Sequence, residues 1–335
     1  MRSVAITAIE AEPASRIVGD DELGAETGLD VAVVRKWSAA RQRRESPDGE
    51  GPTALAARAA MRALASRSLA ASDIDLIVFA TNTPDMFFPG SGCLLQAALG
   101  CRTVGGLDLR SQCTGFLAAL DAARRFVATG TMQRVLVAAA DTPSHFNARD
   151  SRSPALTCGM ADAGAAAILE AGSGAGEILS VVVGTDGSRH ADYWCEYPAS
   201  RFREGTTLPE RNRLPLSKVE AGLHFPSAKL DRLRELALER VPAAFATSLA
   251  QAGVDNVSAT LVAHLDAGVE RDLGRALGEA AGRILVSDLL YCGGTSLPVI
   301  MATARARGDL RSGDMVAMVT SGSGASWGSA VVRVP

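Results

Sequence analysis

The stretch Asp108-Leu109-Arg110-Ser111-Gln112-Cys113-Thr114-Gly115-Phe116-Leu117-Ala118-Ala119-Leu120 sets an extended apolar segment against a small-residue turn and then a helical pattern. Apolar residues recur at Phe116, Leu117, Leu120, Ala123 and Val127, a spacing that lines one face of a helix and places Cys113 at or beside its N-terminus. Unpaired amides at such a terminus favour the thiolate, the reactive form of cysteine, so Cys113 is a candidate nucleophile. A buried, inert thiol is the alternative reading of any single cysteine.

Outward from this turn, strand-like runs recur at 3–9, 74–80, 105–109, 134–140, 165–169 and 178–185, with helical stretches at 51–69 and 115–129 between them. The second half repeats the theme: a helix at 227–252, a strand at 259–263, a helix at 269–281, a strand at 283–286, a helix at 296–307, and a final hairpin of 314–320 with 329–334. Strand then helix in similar order twice over predicts a layered α/β fold of two pseudo-duplicated halves, 1–172 and 173–335. Between the repeats, 198–222 is charged, aperiodic and Pro-containing, which reads either as a solvated loop or as a cap over a binding site.

The chain has 335 residues, 33 glycines, 47% hydrophobic and only 4% aromatic residues, a composition suited to tightly packed layers. Its net charge of −3 supplies no basic field for nucleic acid. The one dense basic run, Arg41-Gln42-Arg43-Arg44, reads by default as solvated surface, with a phosphate-contacting rim as the alternative. Cysteines at 93, 101, 113, 158, 195 and 292 form no CxxC pair and no metal-ligand spacing with the four histidines, so no metal is expected and a reducing cytoplasmic compartment fits. The first residues break their apolar run too early for an export signal, and nowhere do 18 uncharged apolar residues follow one another, so no membrane span is expected.

Three further features join Cys113. His264 directly follows the strand at 259–263, at a strand end where ligands meet α/β sheets. The turn Gly293-Gly294-Thr295-Ser296 opens the next helix, and the glycine loop Ser321-Gly322-Ser323-Gly324 lies between two strands. With Thr81-Asn82-Thr83-Pro84-Asp85, Phe87-Phe88-Pro89, Asp162-Ala163-Gly164-Ala165-Ala166 and the terminal 324–333 segment, this ordered set resembles β-ketoacyl-ACP synthase III and the wider thiolase-fold superfamily over nearly the whole chain.

The resemblance implies a five-layered αβαβα fold and a homodimer. It implies that Cys113 is acylated by a thioester, with the main-chain amides of Cys113 and Ser323 as oxyanion hole. Phe88 matches a phenylalanine that reaches into the partner's acyl pocket, against a plain reading as core packing. The substrate would be an acyl-CoA or acyl-ACP thioester and the acceptor a small molecule or carrier-bound group; no other cofactor is implied.

Departures from the family pattern are as informative. Condensing members use a histidine and an asparagine together to hold the thioester oxygen of malonyl while carbon dioxide leaves. His264 takes the first place, but Gly294 stands where the asparagine belongs and offers no side-chain donor. After His264 the chain continues Leu265-Asp266-Ala267 in place of Gln-Ala-Asn, which raises Asp266 as a possible orienter of His264 in a Cys-His-Asp relay, although adjacent turn positions seldom point together; Asp288 is an alternative. At the channel mouth, Val33 falls where the family stacks adenine on tryptophan and Trp37 where it has an arginine, leaving Arg35, Lys36, Trp37 and Arg152 as candidates for donor or carrier binding.

These readings favour an acyltransferase of secondary metabolism, with Cys113 as nucleophile and His264 as general base on an alcohol, amine or thiol. The alternatives are a Claisen-type condensing enzyme and a non-catalytic partner subunit of a heteromeric synthase.

Overall fold

The computed structural model describes residues 2–39, 41–145, 154–193 and 229–335. Along them run β1 (Val4–Pro13), β2 (Arg16–Ile17), α1 (Asp20–Thr27), α2 (Val31–Ser38), β3 (Arg44–Glu45), α3 (Pro52–Ser66), β4 (Leu76–Ala80), α4 (Ser91–Leu99), β5 (Gly105–Leu109), α5 (Gly115–Ala128), β6 (Arg134–Asp141), α6 (Pro154–Gly159), β7 (Ala163–Ala171) and β8 (Ile178–Thr185). They continue with α7 (Leu230–Ala252), β9 (Ala259–Ala263), α8 (Ala267–Leu277), β10 (Arg283–Leu285), α9 (Ser296–Arg307), β11 (Met315–Gly322) and β12 (Ser326–Arg333). The expected cap at 198–222 and Arg152 lie outside the described residues.

The duplication predicted from the alternation of elements is visible in the topology. One sheet has the order β1-β7-β6-β4-β5 and the other, read from its far edge, β8-β12-β11-β9-β10. In each, the first strand of the half pairs antiparallel with the fifth, the fifth antiparallel with the fourth, the fourth parallel with the second and the second parallel with the third.

Side-chain alternation sorts the layers. In β4, Leu76, Val78 and Ala80 face the middle of the molecule while Ile77 and Phe79 face outward onto Ala56, Ala60, Leu64 and Leu95 of α3 and α4. In β9 and β11, Leu261 and Met318 face the middle while Val262 and Val319 pack on Val241, Phe245 and Leu273 of α7 and α8. The middle holds α5 and α9, whose Phe116, Leu120, Leu297, Ile300 and Met301 touch both sheets. The five layers are therefore α3/α4, sheet, α5/α9, sheet, α7/α8, the thiolase-like arrangement. An outer helix such as α8 buries one stripe (Val269, Leu273, Leu277), whereas α9 is buried almost all round, as a helix between two sheets must be.

Expected boundaries hold within a few residues, and β5, β8, β9 and α9 coincide with them. The short helices α1, α2, α4 and α6 escaped the sequence reading. They run 6 to 9 residues, too few turns for a periodic signal to stand out. No helix among the described residues is long and apolar enough to cross a membrane.

Candidate active site

Cys113 and His264 sit on the turns that follow β5 and β9, parallel strands of the two sheets. After β5 the chain makes a single 3-10 turn, Gln112–Thr114, before α5 begins at Gly115. Gln112 enters it with φ 50, a left-handed conformation. The Thr114 hydroxyl ties the turn by donating to the Ser111 carbonyl at 2.7 Å. Cys113 at the apex is buried at 8% exposure, against the end of β11. A Cβ at Gly322 would lie 2.0 Å from Cys113 Sγ, so glycine there is what lets the strand approach the sulfur.

The main-chain N–H groups of Ser323 and of Cys113 itself face the sulfur, the pair of donors an oxyanion hole requires. Burial pushes the Cys113 thiol up, and the Tyr291 hydroxyl and the Ser323 amide only partly offset it. The amides at the helix start are present, as expected, but desolvation outweighs them and disfavours the thiolate they favour.

His264 reaches the same place through sheet register. Thr320 of β11 pairs with Ala263 of β9, so the residue after Ala263 stands beside Ser321, next to the glycine that touches Sγ. The ring is 3% exposed, and its Nδ1 accepts the main-chain N–H of Asp266 at 3.0 Å. Burial, opposed by the Asp266 charge, lowers its pKa to about 4, so the ring is neutral. With Nδ1 engaged as acceptor, the proton of the neutral ring is assigned to Nε2. In that tautomer His264 carries its donor on Nε2 and its lone pair on Nδ1. His264 N–H in turn donates to Glu270 Oε1 at 3.2 Å, and Glu270, buried, pairs with Arg41.

Asp266 orients His264, but through its main chain. Its carboxylate caps α8 by accepting from Gly268 N–H at 2.6 Å, so a carboxylate relay is not formed. Asp288 is turned away and pairs with Arg307 on the surface.

Gly294 occupies, in the second half, the place that Cys113 occupies in the first: each is the middle residue of the 3-10 turn that opens a central helix. The two turns pack on each other. A Cβ at Gly294 would lie 2.7 Å from the Gln112 carbonyl oxygen and 3.3 Å from Gly115 N. The positive φ of this turn belongs to Gly293 (58°), and what restricts Gly294 is the neighbouring main chain. Asp141, at the end of β6, joins the turns from below: its carboxylate accepts from Asn82 N–H at 2.7 Å and from Gly294 N–H at 3.0 Å, and Asn82 Nδ2 donates to the Gln112 carbonyl at 3.3 Å. Burial outweighs these donors and raises Asp141 to about 7.

The other expected residues scatter. Phe88 is 81% exposed on this chain, against Phe87 in an edge-to-face contact at 4.9 Å, so it is not core packing. Trp37 is half-buried against the cluster of Val18, Leu23, Val34 and Cys158. Arg35 and Lys36 stand on the exposed face of α2, Arg35 beside Asp21 at 3.3 Å. The basic run is not the solvated surface it suggests: Arg43 is 2% exposed and donates to the Cys158 carbonyl at 2.9 Å, and Arg41 is spent on Glu270. Sequence reading missed Asp141, Glu270 and Tyr291, and took Asn82 only as part of the Thr81–Asp85 motif without a role. Asn82 at a strand end offered a cue; Tyr291, amid an apolar run, offered none.

The arrangement could carry an acyl group on sulfur: a buried thiol, two amides facing it, and an imidazole at the end of the strand beside β11. The family described as 3-oxoacyl-[acyl-carrier-protein (ACP)] synthase III matches residues 107–187, and its C-terminal counterpart matches 249–334. The β-ketoacyl-[acyl-carrier-protein] synthase III of Synechococcus elongatus is 32% identical, the alignment covering 98% of this chain and 96% of the relative. The structure of 3-oxoacyl-(acyl carrier protein) synthase III from Pseudomonas aeruginosa superposes with a TM-score of 0.85 at 22% identity, over 100% of this chain and 99% of the other. A priming β-ketosynthase of a polyketide biosynthetic pathway superposes with 0.84 at 23% identity, over 100% and 97%. At those identities the two structures bear on the fold alone.

Proposed function

The chain belongs to the 3-oxoacyl-[acyl-carrier-protein] synthase III family, and from that premise we propose that it moves an acyl group from a coenzyme A or acyl-carrier-protein thioester, through Cys113, to an alcohol, amine or thiol acceptor. Gly294 carries this reading. The side chain that would complete the malonyl-binding pair is absent, its main-chain N–H is held by Asp141, and a Cβ there would press on the Gln112 carbonyl.

In the first half-reaction Cys113 Sγ bonds to the acyl carbon, the donor C–S bond breaks, and the Cys113 proton ends on the departing thiol. The N–H groups of Cys113 and Ser323 hold the oxyanion; loss of one such donor typically costs ~3 kcal/mol. In the second, the acceptor heteroatom bonds to the acyl carbon, the C–Sγ bond breaks, and the acceptor's proton restores the thiol. The raised thiol pKa suits the sulfur to taking that proton back. His264 positions an acceptor oxygen by donating from Nε2. The exposed Met86, Phe87 and Phe88 and the edge of β5, unpaired among the described residues, support a homodimer in which Phe88 enters the partner's acyl site. Arg35 and Lys36 fit an acidic carrier or phosphate at the entrance.

One observation favours a second reading. The Nε2–H of His264 is half of an enolate-stabilising pair, so a carbon acid that is already acidic could be condensed with the acyl group. The deciding experiment gives acyl-loaded enzyme malonyl-CoA or malonyl-ACP and, separately, nucleophilic acceptors. Little carbon dioxide, with discharge by a heteroatom acceptor, is the expected result; rapid malonyl decarboxylation coupled to carbon–carbon bond formation overturns the proposal.

A further inference from the structure

We propose that Tyr291 is a catalytic residue of this site, its hydroxyl lying beside Cys113 Sγ as the hydrogen-bond donor that supports the sulfur both as nucleophile and as leaving group. The inference deepens the transfer reading above and rests on it for the identity of the reaction.

Three observations converge on it. The ring is 5% exposed, in the same cluster as Cys113, yet its hydroxyl has no regular hydrogen bond among the described residues. A buried hydroxyl left so calls for an explanation, and a catalytic role is one. The hydroxyl is also where the sulfur is: from the position a Cβ would take at Gly322, Sγ is 2.0 Å and the Tyr291 oxygen 3.9 Å away. The neighbouring Thr320 hydroxyl already donates to the Ala263 carbonyl at 3.0 Å, so it does not compete for the sulfur.

The donor is rigid. Tyr291 N–H donates to the Gly159 carbonyl at 3.1 Å, and its own carbonyl accepts from Ala161 N–H at 3.0 Å, so the strap carrying the ring is fixed at the Cα. Burial, with the sulfur close by, pushes the phenol well above its ordinary value, which keeps the O–H in place as a donor at working pH. That donor acts on Cys113 in the opposite sense to burial and favours the thiolate. No O–H bond need break: the phenol stabilises negative charge on Sγ while the thiol proton leaves in loading, and again while the C–Sγ bond breaks in discharge.

The test is the pH dependence of Cys113 alkylation by iodoacetamide, mapped to its peptide so that the exposed Cys93 does not contribute. Tyr291→Phe keeps the ring and removes the donor. The expected result is a midpoint about one unit higher, an alkylation rate near neutral pH about tenfold lower, and an unchanged limiting rate at high pH. An unchanged midpoint in the folded variant overturns the proposal. If Tyr291→Phe does not fold, 3-fluorotyrosine introduced at position 291 strengthens the donor and should lower the midpoint; no movement again overturns it. Alkylation needs no acyl substrate, so a shifted midpoint with no acyl loading from any thioester sinks the transfer reading and leaves this one standing.

Discussion

The main-chain N–H of Asp266 donates to Nδ1 of His264 at 3.0 Å. With Nδ1 so engaged the proton of the neutral ring is assigned to Nε2, and the aspartate acts through an atom every residue but proline possesses. The carboxylate, meanwhile, serves the start of α8.

Replacing Asp266 by alanine should consequently cost stability and spare catalysis. Loss of the cap should lower stability by about 1 kcal/mol, with kcat for acyl transfer within a few fold of wild type. A kcat loss of a hundredfold in a folded variant would restore the carboxylate relay. Asp266→Pro removes the N–H itself and should reduce transfer far more than Asp266→Ala does.

His264, neutral down to about pH 4, should leave the pH–rate profile without an inflection near 6.5. His264→Ala should lower transfer about a hundredfold while leaving partial acyl loading. An acidic limb near 6.5 in the wild type that disappears in His264→Ala would reinstate the general base.

Incubation with a suitable acyl thioester should add the acyl mass to the wild type, and Cys113→Ala should abolish the adduct. Intact-mass and peptide analysis decide it; an adduct persisting on Cys93, Cys101, Cys158 or Cys292 means the nucleophile is elsewhere.

At Gly294 even alanine should be felt. Its Cβ would lie 2.7 Å from the Gln112 carbonyl, main chain that cannot swing aside, so the elbow carrying Cys113 must shift. Gly294→Ala should lower stability by roughly 1–3 kcal/mol and slow acyl loading at least tenfold. An unaltered loading rate would show that the two turns do not depend on each other.

Asp141 and His264 should push stability in opposite directions with pH. Asp141, raised in the fold to about 7 from 3.8, binds its proton more tightly folded than unfolded. Its contribution is fully present below pH 3.8 and is lost as pH rises through about 7. His264, lowered to about 4 from 6.5, contributes stability that is present above 6.5 and lost as pH falls toward 4. Asp141→Asn removes the first effect alone. Its stability relative to wild type should therefore improve between pH 5 and pH 8, on the order of 2 kcal/mol, in urea unfolding at the two values. A constant difference would mean that Asp141 does not titrate in this range.

Much of this was legible in the residues themselves. Short apolar runs at β4, β6 and β9 and the helical stripe after Cys113 announce the elements, because each signal is complete within one element's length. The turns bearing Cys113 and His264 could be placed for the same reason, each following a strand whose end is readable, and the turn bearing Gly294 by its glycines at the start of a helical pattern. The short helices α1, α2, α4 and α6 were lost because two turns of helix carry little periodicity.

What the sequence by itself determined, then, is local: strand, turn, helix, repeated, with a thiol at one turn and a glycine at its counterpart. Contacts between distant segments were decided by the tertiary structure alone. Tyr291 meets Cys113 only because the chain folds its two halves face to face, and Asp141 meets Gly294 across 153 positions. Desolvation is of the same kind. Whether a cysteine at a helix start rests as thiolate or thiol depends on how much water the surrounding layers exclude, and here burial by both halves outweighs the amides that the local sequence supplies.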